Sequence, residues 1–513
     1  MKRKNKNPFT PYIALALIAG VAGMYLSLNG RWFENEQALA AITAGSETQM
    51  NNTTPSVLNR GRMAIDEKGN TIAVWSMETG TGFDPSGQGV YYRRFDATGT
   101  ALDAADVLVN SSIVGDQKNP SVAMDQNGNF VITWEGAGDQ AGQVDADGVF
   151  LKAFQADGTA VGGEIRINGS ATNNQERALI AMDYDGPTSA TRFVVAWAGF
   201  VPSFDNNIYV ARFDVDFTQT VTAPVPAGSE VTMYTNAFNQ FPTGVAMNNL
   251  GEFVVAWLDD PAGTPNYYYQ FFAQDGGLLA FAQLNVETVG AYPSVAADKT
   301  TRTSLNDPQD RYFIFTYGDT SFNLYVVRII CSDPDTGNGT DTDLACSQDG
   351  SKLIVNDTAG TSILRPGVAA DYLGNFTVAW EQNLIDGTGF GIAAQSFTYR
   401  GKRIGENFVV NTTTAGNEID PSIAMNTDGF YTISHQGTAN RFQNYINEFA
   451  KVQNESLAHV SSANNQTTAD TDIAPNGNHV QVWKDNADGT IRFTLRQFDN
   501  DAAPLQQNVR VDA

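Results

Sequence analysis

Residues 120–134 read PSVAMDQNGNFVITW. The first part alternates apolar and polar side chains and runs into a turn between Asp125 and Gly128. A glycine at this place supplies the positive φ that tight hairpin turns require. The second part, FVITW, is rich in β-branched and aromatic residues and ends on Trp134, as suits a pleated, half-buried strand. The stretch therefore predicts a β-hairpin.

The hairpin recurs along the chain. The turn position of Asp125 is occupied elsewhere by Asp66, Asp183, Asn248, Asp298, Asp371, Asn426 and, in a degraded eighth copy, Ala474. The closing position is occupied by Trp75, Trp134, Trp197, Trp257, Tyr317, Trp380 and Trp483, with His435 in the seventh copy. We predict that these aromatic side chains form a core between repeats, rather than stack on a ligand. The recurring Asp is expected to be a turn residue rather than a calcium ligand.

Each copy continues into a second hairpin. In the second copy this is GVFLKAFQADGT (148–159) followed by IRIN (165–168). Four antiparallel strands, which we call A to D, therefore make up each unit. One such sheet cannot bury both of its faces alone, whereas stacking the sheets around a ring covers them. We predict an all-β fold, a single propeller of eight four-stranded blades over residues 59–513; seven blades with one extra unit is the alternative.

The N-terminus has the pattern of an export signal. Basic residues from Lys2 to Lys6 precede an apolar run from Tyr12 to Leu28, an order that places the remainder of the chain outside the membrane. We interpret residues 1–30 as a signal-anchor, one apolar helix that contacts the membrane through residues 8–30; a cleaved signal peptide is the alternative. Residues 31–58 are predicted to form a short helix and a polar stalk. The body is then anchored on the exported side of the cell envelope, or secreted after cleavage.

Charge and composition exclude some functions. The formal net charge is −25, which argues against nucleic acid as a partner. The chain has three His and two Cys, and it contains none of the G-x-S-x-G, H-E-x-x-H or P-loop motifs. On these grounds we predict a protein that is not an enzyme and has no firmly indicated cofactor.

The two cysteines are predicted to pair. Cys331 and Cys346 bracket 14 residues of an insertion in the fifth copy, and in an exported chain such a pair reads as a disulfide. The loop between them contains a dense set of oxygen ligands: Asp333, Asp335, Asn338, Asp341 and Asp343. Calcium prefers oxygen ligands in such numbers, so calcium binding is one interpretation and an ordinary solvated loop is the other.

The repeat resembles those of exported bacterial surface propellers, whose consensus runs roughly P-S-V-A-M-D-x-x-G-x-F-V-V-x-W. The resemblance covers residues 60–513 and is best in the first, second and sixth copies. The general plan is also similar to the TolB and FG-GAP types of propeller. The resemblance implies a cell-surface or secreted location and a propeller fold, and it implies no particular activity.

Binding is expected in the loops that vary between copies. The B–C loops and the D–A connections lie at the same end of the blades, and variable loops on a regular scaffold commonly carry function. The B–C loops are 76–88, 135–147, 198–207, 258–266 and 381–389. We predict a binding or adhesion module for a glycan, a surface protein or a matrix component. The alternatives are a carbohydrate-active enzyme with its site at the central channel, and a structural subunit of a surface layer or appendage.

Overall fold

The structure is a computed structural model that describes residues 42–447 with short gaps, together with four strands between residues 467 and 510. The gaps are 53–56, 60, 79–83, 85–86, 141–142, 170–173, 187–188, 202–204, 234–238, 260–265, 285–288, 300–310, 333–344, 358–361, 415 and 438–439. The predicted membrane segment and the predicted calcium loop lie outside the described residues.

The described strands follow the repeat. Two strands precede the first blade: β1 (Ile42–Ala44) and β2 (Thr48–Gln49). Blade 1 consists of β3 (Val57–Leu58), β4 (Arg62–Ile65), β5 (Thr71–Glu78), β6 (Gly89–Phe95) and β7 (Val107–Leu108). Blade 2 consists of β8 (Gln117–Met124), β9 (Phe130–Gln140), β10 (Gln143–Phe154) and β11 (Ala160–Arg166). Blade 3 consists of β12 (Gln175–Met182), β13 (Thr191–Val201), β14 (Asp205–Val215), β15 (Val225–Pro226) and β16 (Val231–Thr232).

The later blades have the same order. Blade 4 consists of β17 (Gln240–Met247), β18 (Phe253–Asp259), β19 (Asn266–Phe272) and β20 (Leu278–Leu284). Blade 5 consists of β21 (Val289–Ala297), β22 (Arg311–Asp319), β23 (Leu324–Ser332), β24 (Ala345–Gln348) and β25 (Leu353–Ile354). Blade 6 consists of β26 (Ile363–Ala370), β27 (Phe376–Asn383), β28 (Phe390–Phe397) and β29 (Arg403–Val409). Blade 7 contains β30 (Ile419–Met425), β31 (Phe430–Gln436) and β32 (Asn440–Asn447).

Seven blades close the ring, so the prediction of eight is wrong and its seven-bladed alternative is right. The A strands contact their neighbours in a complete circuit, including β30 of blade 7 against β4 of blade 1. The Nδ2 of Asn440 in blade 7 donates a hydrogen bond to the carbonyl of Asn59, next to blade 1, at 2.8 Å. The eighth repeat forms a separate four-stranded sheet of β33 (Thr467–Ile473), β34 (His479–Asp485), β35 (Arg492–Phe498) and β36 (Val509–Arg510).

The outer strand of blade 7 comes from the other end of the sequence. Both β1 and β2 pair antiparallel with β32, with Ile42 opposite Asn447 and Thr48 opposite Phe442. Residues 42–49 lie within the segment 31–58 for which a short helix and a polar stalk are predicted, and the structure places two strands there instead. Their backbone groups satisfy the open edge of β32, which would otherwise present unpaired N–H and C=O groups. The predicted helix before them lies outside the described residues.

The repeated tryptophans fill the spaces between blades. Trp75, Trp134, Trp197, Trp257 and Trp380 have no exposed surface, and Tyr317 is 3 % exposed. The ring of Trp134 stacks on Phe150 of its own blade, with 6.2 Å between centroids, and lies in one apolar cluster with Ile72 of blade 1. Each blade thus covers a face that its neighbour could not bury alone. The side chain of Trp483 lies outside the described ones.

The recurring Asp builds the A–B turn. In blade 2, Oδ1 of Asp125 accepts from the backbone N–H groups of Asn127 and Asn129, both at 2.9 Å. Gly128 takes a φ of 90° in the same turn. The B–C segments depart from the prediction in two blades, because residues 135–147 and 198–207 are largely extensions of β9, β10, β13 and β14 rather than loops.

The predicted disulfide is confirmed. Cys331 at the end of β23 is bonded to Cys346 of β24, and the two residues face each other across the strand pair. The bond therefore joins the base of the insertion that begins and ends in blade 5.

Candidate functional site

The end of the channel at the A–B turns is tied together around the ring. Hydrogen bonds that involve the backbone connect most A–B turns to the next one around the ring. They are Glu67 N to Gln126 O at 3.3 Å, Gln126 N to Tyr184 O at 2.7 Å, Lys299 N to Asp371 O at 3.1 Å, and Tyr372 N to Thr427 O at 3.4 Å. Side-chain amides add Asn249 Nδ2 to Lys299 O at 2.8 Å and Asn426 Nδ2 to Glu67 O at 3.2 Å.

Side chains from non-adjacent blades also contact one another at this end. The hydroxyl of Tyr184 in blade 3 donates to Oε2 of Glu67 in blade 1 at 3.1 Å. The Nζ of Lys299 in blade 5 lies 4.1 Å from the centre of the Tyr184 ring and donates to the carbonyl of Met425 in blade 7. Burial lowers the pKa of Lys299 to about 8, although the charges of Glu67 and Asp371 oppose the shift. We call these side chains the channel plug, and they leave the opposite end as the mouth of the channel.

At the mouth, four A strands share an unusual backbone feature. Asn119, Arg177, Arg365 and Asp420 each lie six residues before the turn position, and their φ values are 51°, 59°, 45° and 53°. Each lies at a β-bulge, where the pairing of strand A with strand B shifts register. A left-handed backbone costs about 1–3 kcal/mol for such residues, and strain of this kind is concentrated at functional sites. We call these four the bulge residues.

Two buried glutamates hold the bulge residues. Glu135 in blade 2 and Glu381 in blade 6 each directly follow the core tryptophan, and they are 4 % and 0 % exposed. Oε1 of Glu135 accepts from Nδ2 of Asn119 at 2.5 Å, and its Oε2 accepts from the backbone N–H of Arg177 in the next blade. Burial raises the pKa of Glu135, against the opposing effect of these hydrogen bonds.

Glu381 repeats the arrangement between blades 6 and 7. Its carboxylate accepts from Nη1 of Arg365 at 2.9 Å and from the backbone N–H of Asp420. Burial raises its pKa as well. In the other blades the residue after the aromatic position is not acidic: Ser76, Ala198, Leu258, Gly318 and Gln436. Two buried carboxyl groups with raised pKa values thus lie beside the mouth, and such groups can donate and accept protons.

A second acidic group lies nearby, where blade 6 meets blade 7. Asn411 donates its Nδ2 to Oδ2 of Asp386 at 2.7 Å, and Glu418 is 1 % exposed beside them. Burial, followed by the charge of Asp386, raises the pKa of Glu418 to about 7.

A similar group of polar side chains lies where blade 1 meets blade 2, with a glutamine in place of the glutamate. Nδ2 of Asn110 donates to Oδ2 of Asp84 at 3.1 Å and to Oε1 of Gln117 at 3.0 Å. Gln117 occupies the repeat position of Glu418, eight residues before the turn position. The neutral amide there leaves Asp84 as the single acidic member of the group.

The segment that closes the ring adds another carboxylate. Glu47 follows β1, and its Oε1 lies 3.0 Å from Nε2 of His435, the residue that replaces the core tryptophan in blade 7. The backbone N–H of Thr413 donates to Oε2 of Glu47 at 3.1 Å. Burial would raise the pKa of Glu47, but the hydrogen bonds with His435, Thr412 and Thr413 prevail and hold it at about 2.

Most of the residues singled out from the sequence belong to the scaffold and not to the candidate site. The repeated Asp and Trp side chains lie in turns and cores, and the five predicted calcium ligands lie outside the described residues. Sequence reasoning placed Glu135 and Glu381 as the first residues of variable B–C loops, without a role for either. It missed Arg177 and Arg365, whose signal was a charged residue at a fixed distance before the turn.

Two kinds of feature are absent from the described residues. These residues contain no helix of the length and apolar character needed to cross a membrane. Among the same residues, no group of three or more His, Cys, Asp or Glu side chains is arranged to hold a metal ion.

Comparison with known proteins gives only distant similarities. No protein-family profile and no curated protein matches the sequence. An α-L-arabinofuranosidase of Fusarium graminearum is similar in structure, with a TM-score of 0.42 and 10 % identity over 79 % of this chain and 98 % of that one. An α-L-arabinanase of Penicillium chrysogenum gives 0.41 and 11 % identity over 69 % and 98 %. A polysaccharide lyase that acts on ulvan gives 0.39 and 10 % over 67 % and 79 %.

These neighbours correct one prediction. The arabinofuranosidase, the arabinanase and the lyase are all enzymes that act on carbohydrates, and sialidases are among the similar structures as well. The expectation that the chain is not an enzyme is therefore corrected: it rested on missing sequence motifs, and propellers of similar structure include enzymes. A pair of carboxyl groups from distant blades forms no motif in sequence, and this is the physical reason that the expectation was unsound.

Proposed function

We propose that this protein is a carbohydrate-active enzyme that binds a glycan at the mouth of the channel and cleaves a glycosidic bond there. One observation carries the proposal: two buried glutamates with raised pKa values stand behind a mouth that is lined by amide, guanidinium and carboxylate groups. Glycosidases commonly use a pair of carboxyl groups, one of which must hold a proton at the pH of the reaction.

The surrounding groups suit a sugar. Asn119, Arg365 and Asp420 carry planar donors and acceptors that match hydroxyl groups. The channel plug closes the other end, so a polysaccharide would enter and leave through the mouth. Glu135 and Glu381 are the groups that we assign to proton transfer, and the bulge residues are those that we assign to binding.

The test is a cleavage screen with matched variants. Purified full-length protein is incubated with a panel of polysaccharides, and new reducing ends are measured together with the 235 nm absorbance of unsaturated products. Glu135→Gln and Glu381→Gln should each lower the rate by at least about 100-fold, the lower limit for loss of a general acid or base. Glu164→Gln is the matched control, because Glu164 is a half-buried glutamate of β11, on the outer side of blade 2.

Three outcomes would count against the proposal. One is that no polysaccharide is cleaved although the protein is folded. Another is that both glutamate variants keep full activity. The last is that the control variant loses as much activity as they do.

We further propose that this activity is located outside the cytoplasm. The disulfide between Cys331 and Cys346 supports this location, since such bonds persist in oxidising compartments. Fractionation of expressing cells would test it, with the protein expected in the membrane or secreted fraction. Recovery of the protein in the cytosol with free thiols would contradict it.

A further inference from the structure

Arg177 differs from Arg365 in one respect that bears on the ligand. Both are bulge residues with a left-handed backbone. The guanidinium of Arg365 is neutralised twice, by Glu381 at 2.9 Å and by Asp420 of the next blade at 3.1 Å. Arg177 has the same place in its own blade, so the two positions form an internal comparison.

Neither of the two carboxylates that pair with Arg365 has a counterpart beside Arg177. The residue that corresponds to Glu381, directly after the tryptophan of its blade, is Ala198. The group from the next blade is the ring of Phe241, whose centre lies 3.9 Å from the guanidinium carbon. In the part of the chain that the structure describes, no ion pair joins this guanidinium to a carboxylate.

The adjacent acid is held elsewhere. Oε1 of Glu176 accepts a hydrogen bond from Nδ2 of Asn206, at the base of the extended hairpin of blade 3, at 3.1 Å. The carboxylate of Glu135 interacts with the backbone of Arg177, since it accepts the N–H of that residue. Within the described ranges, the half-buried Arg177 thus has no acidic partner for its guanidinium, in a chain whose formal charge is −25.

Among the described residues, no hydrogen bond joins the guanidinium N–H groups of Arg177 to another residue beside its contact with Phe241. A guanidinium stacked on an aromatic ring uses one of its faces, and its N–H groups point outward in its own plane. Two parallel N–H groups in that plane match the two oxygens of a carboxylate. Galacturonate and other uronic acids carry such a carboxylate on the sugar ring.

We propose that the glycan recognised at the mouth is acidic, and that Arg177 binds the carboxylate of a uronic acid residue while Phe241 holds the guanidinium in place. This inference rests on the proposed function, because it names the substrate class of the same site. It assigns Arg177 to specificity, whereas Glu135 and Glu381 are assigned to the reaction.

The experiment compares three probes by isothermal titration calorimetry. They are trigalacturonate, its methyl ester, which has the same sugar ring without the charge, and a sulfated galactan oligosaccharide. Wild-type protein should bind trigalacturonate at least about 10-fold more tightly than the ester. Arg177→Gln should abolish this preference, and Arg177→Lys should restore only part of it, because lysine keeps the charge but lacks the planar fork.

Controls separate a local effect from a general one. Lys68→Gln removes an exposed positive charge in the A–B turn of blade 1, far from the mouth, and should leave the preference unchanged. Melting curves establish that each variant is folded. If Arg177→Gln does not fold, Ala198→Glu is the second variant; it gives Arg177 the partner that Arg365 has and should also lower the affinity for trigalacturonate.

The results distinguish this inference from the proposed function. Equal binding of acid and ester, a preference that survives Arg177→Gln, or tighter binding of the sulfated probe would each overturn the uronate assignment. Cleavage of neutral glycans alone would overturn it while leaving the proposed function intact. If no glycan is bound or cleaved, both are wrong.

Discussion

Replacing Glu418 by Gln is expected to stabilise the protein at alkaline pH and to have little effect at acidic pH. The substitution copies Gln117, which has the same repeat position where blade 1 meets blade 2 and donates its Nε2 to the carbonyl of Ala137 at 2.9 Å. It removes the need to keep a second acidic group uncharged beside Asp386.

The size of the effect follows from the pKa shift. Burial and Asp386 raise the pKa of Glu418 from 4.5 to about 7, and a complete shift of this size corresponds to about 3 kcal/mol. Gly387 and Thr388, next to Asp386, are exposed, so water reaches the loop and weakens the interaction. We therefore expect about 1–2 kcal/mol.

The sign follows from linkage. The folded protein binds this proton more tightly than the unfolded chain, because the folded pKa lies above the unfolded value. The contribution of Glu418 to stability is fully present below pH 4.5, and it is lost as the pH rises through about 7. The advantage of Gln over Glu should therefore be small at pH 5 and complete at pH 8.

Urea denaturation at the two pH values and constant ionic strength measures the difference. Gln117→Glu is the reciprocal variant, since it places a second carboxyl group beside Asp84 and should create the same pH dependence in blade 2. Glu47 and His435 are present in both proteins, so subtracting wild type from Glu418→Gln removes their contribution. An equal difference between the two proteins at pH 5 and pH 8, or a variant that is the less stable one at pH 8, would contradict the raised pKa of Glu418.

Three further substitutions test the ring itself. Trp134→Ala should lower the free energy of unfolding by about 3–5 kcal/mol, and denaturation would show a much smaller loss for Trp134→Phe if packing is the cause. Glu47→Gln should destabilise the folded state by about 1–3 kcal/mol at pH 7. Since the pKa of Glu47 lies at about 2, this cost should vanish as the pH falls from 4.5 towards 2. An unchanged melting temperature at pH 7 would argue against a link between Glu47 and His435. Replacing Cys331 and Cys346 by Ser should cost about 3 kcal/mol for a loop of this length, and reduction of the wild type should reproduce the loss.

The sequence predicted the blades well because each blade is local. A turn at Asp125 and a closing aromatic at Trp134 lie within one hairpin, and their recurrence marks each unit directly. The number of blades in the ring could not be predicted in this way, because it depends on which segments, distant in sequence, pair to close the ring. Residues 42–49 carry no recognisable repeat pattern, yet their backbone completes blade 7. Backbone pairing of a short outer strand leaves little signal in side chains.

The candidate site was harder to predict for a related reason. The carboxylate of Glu135 accepts a hydrogen bond from Arg177 of the next blade, and that of Glu381 accepts one from Asp420 of the next blade. Such contacts exist only after the blades are stacked. The sequence does contain a charged residue at a fixed distance from the turn. This pattern indicates a site only when the A strands are known to line the channel.

Hydrogen–deuterium exchange with bound sugar tests whether a glycan binds at the mouth of the channel. Glu381→Gln protein, which should bind without turnover, is compared with and without the oligosaccharide of the panel that it binds most tightly. We expect slower exchange in the segments around the bulge residues, 117–121, 175–179, 363–367 and 418–422, with no change in the A–B turns of the channel plug. Protection confined to those turns, or to the outer strands of the blades, would contradict a glycan site at the mouth.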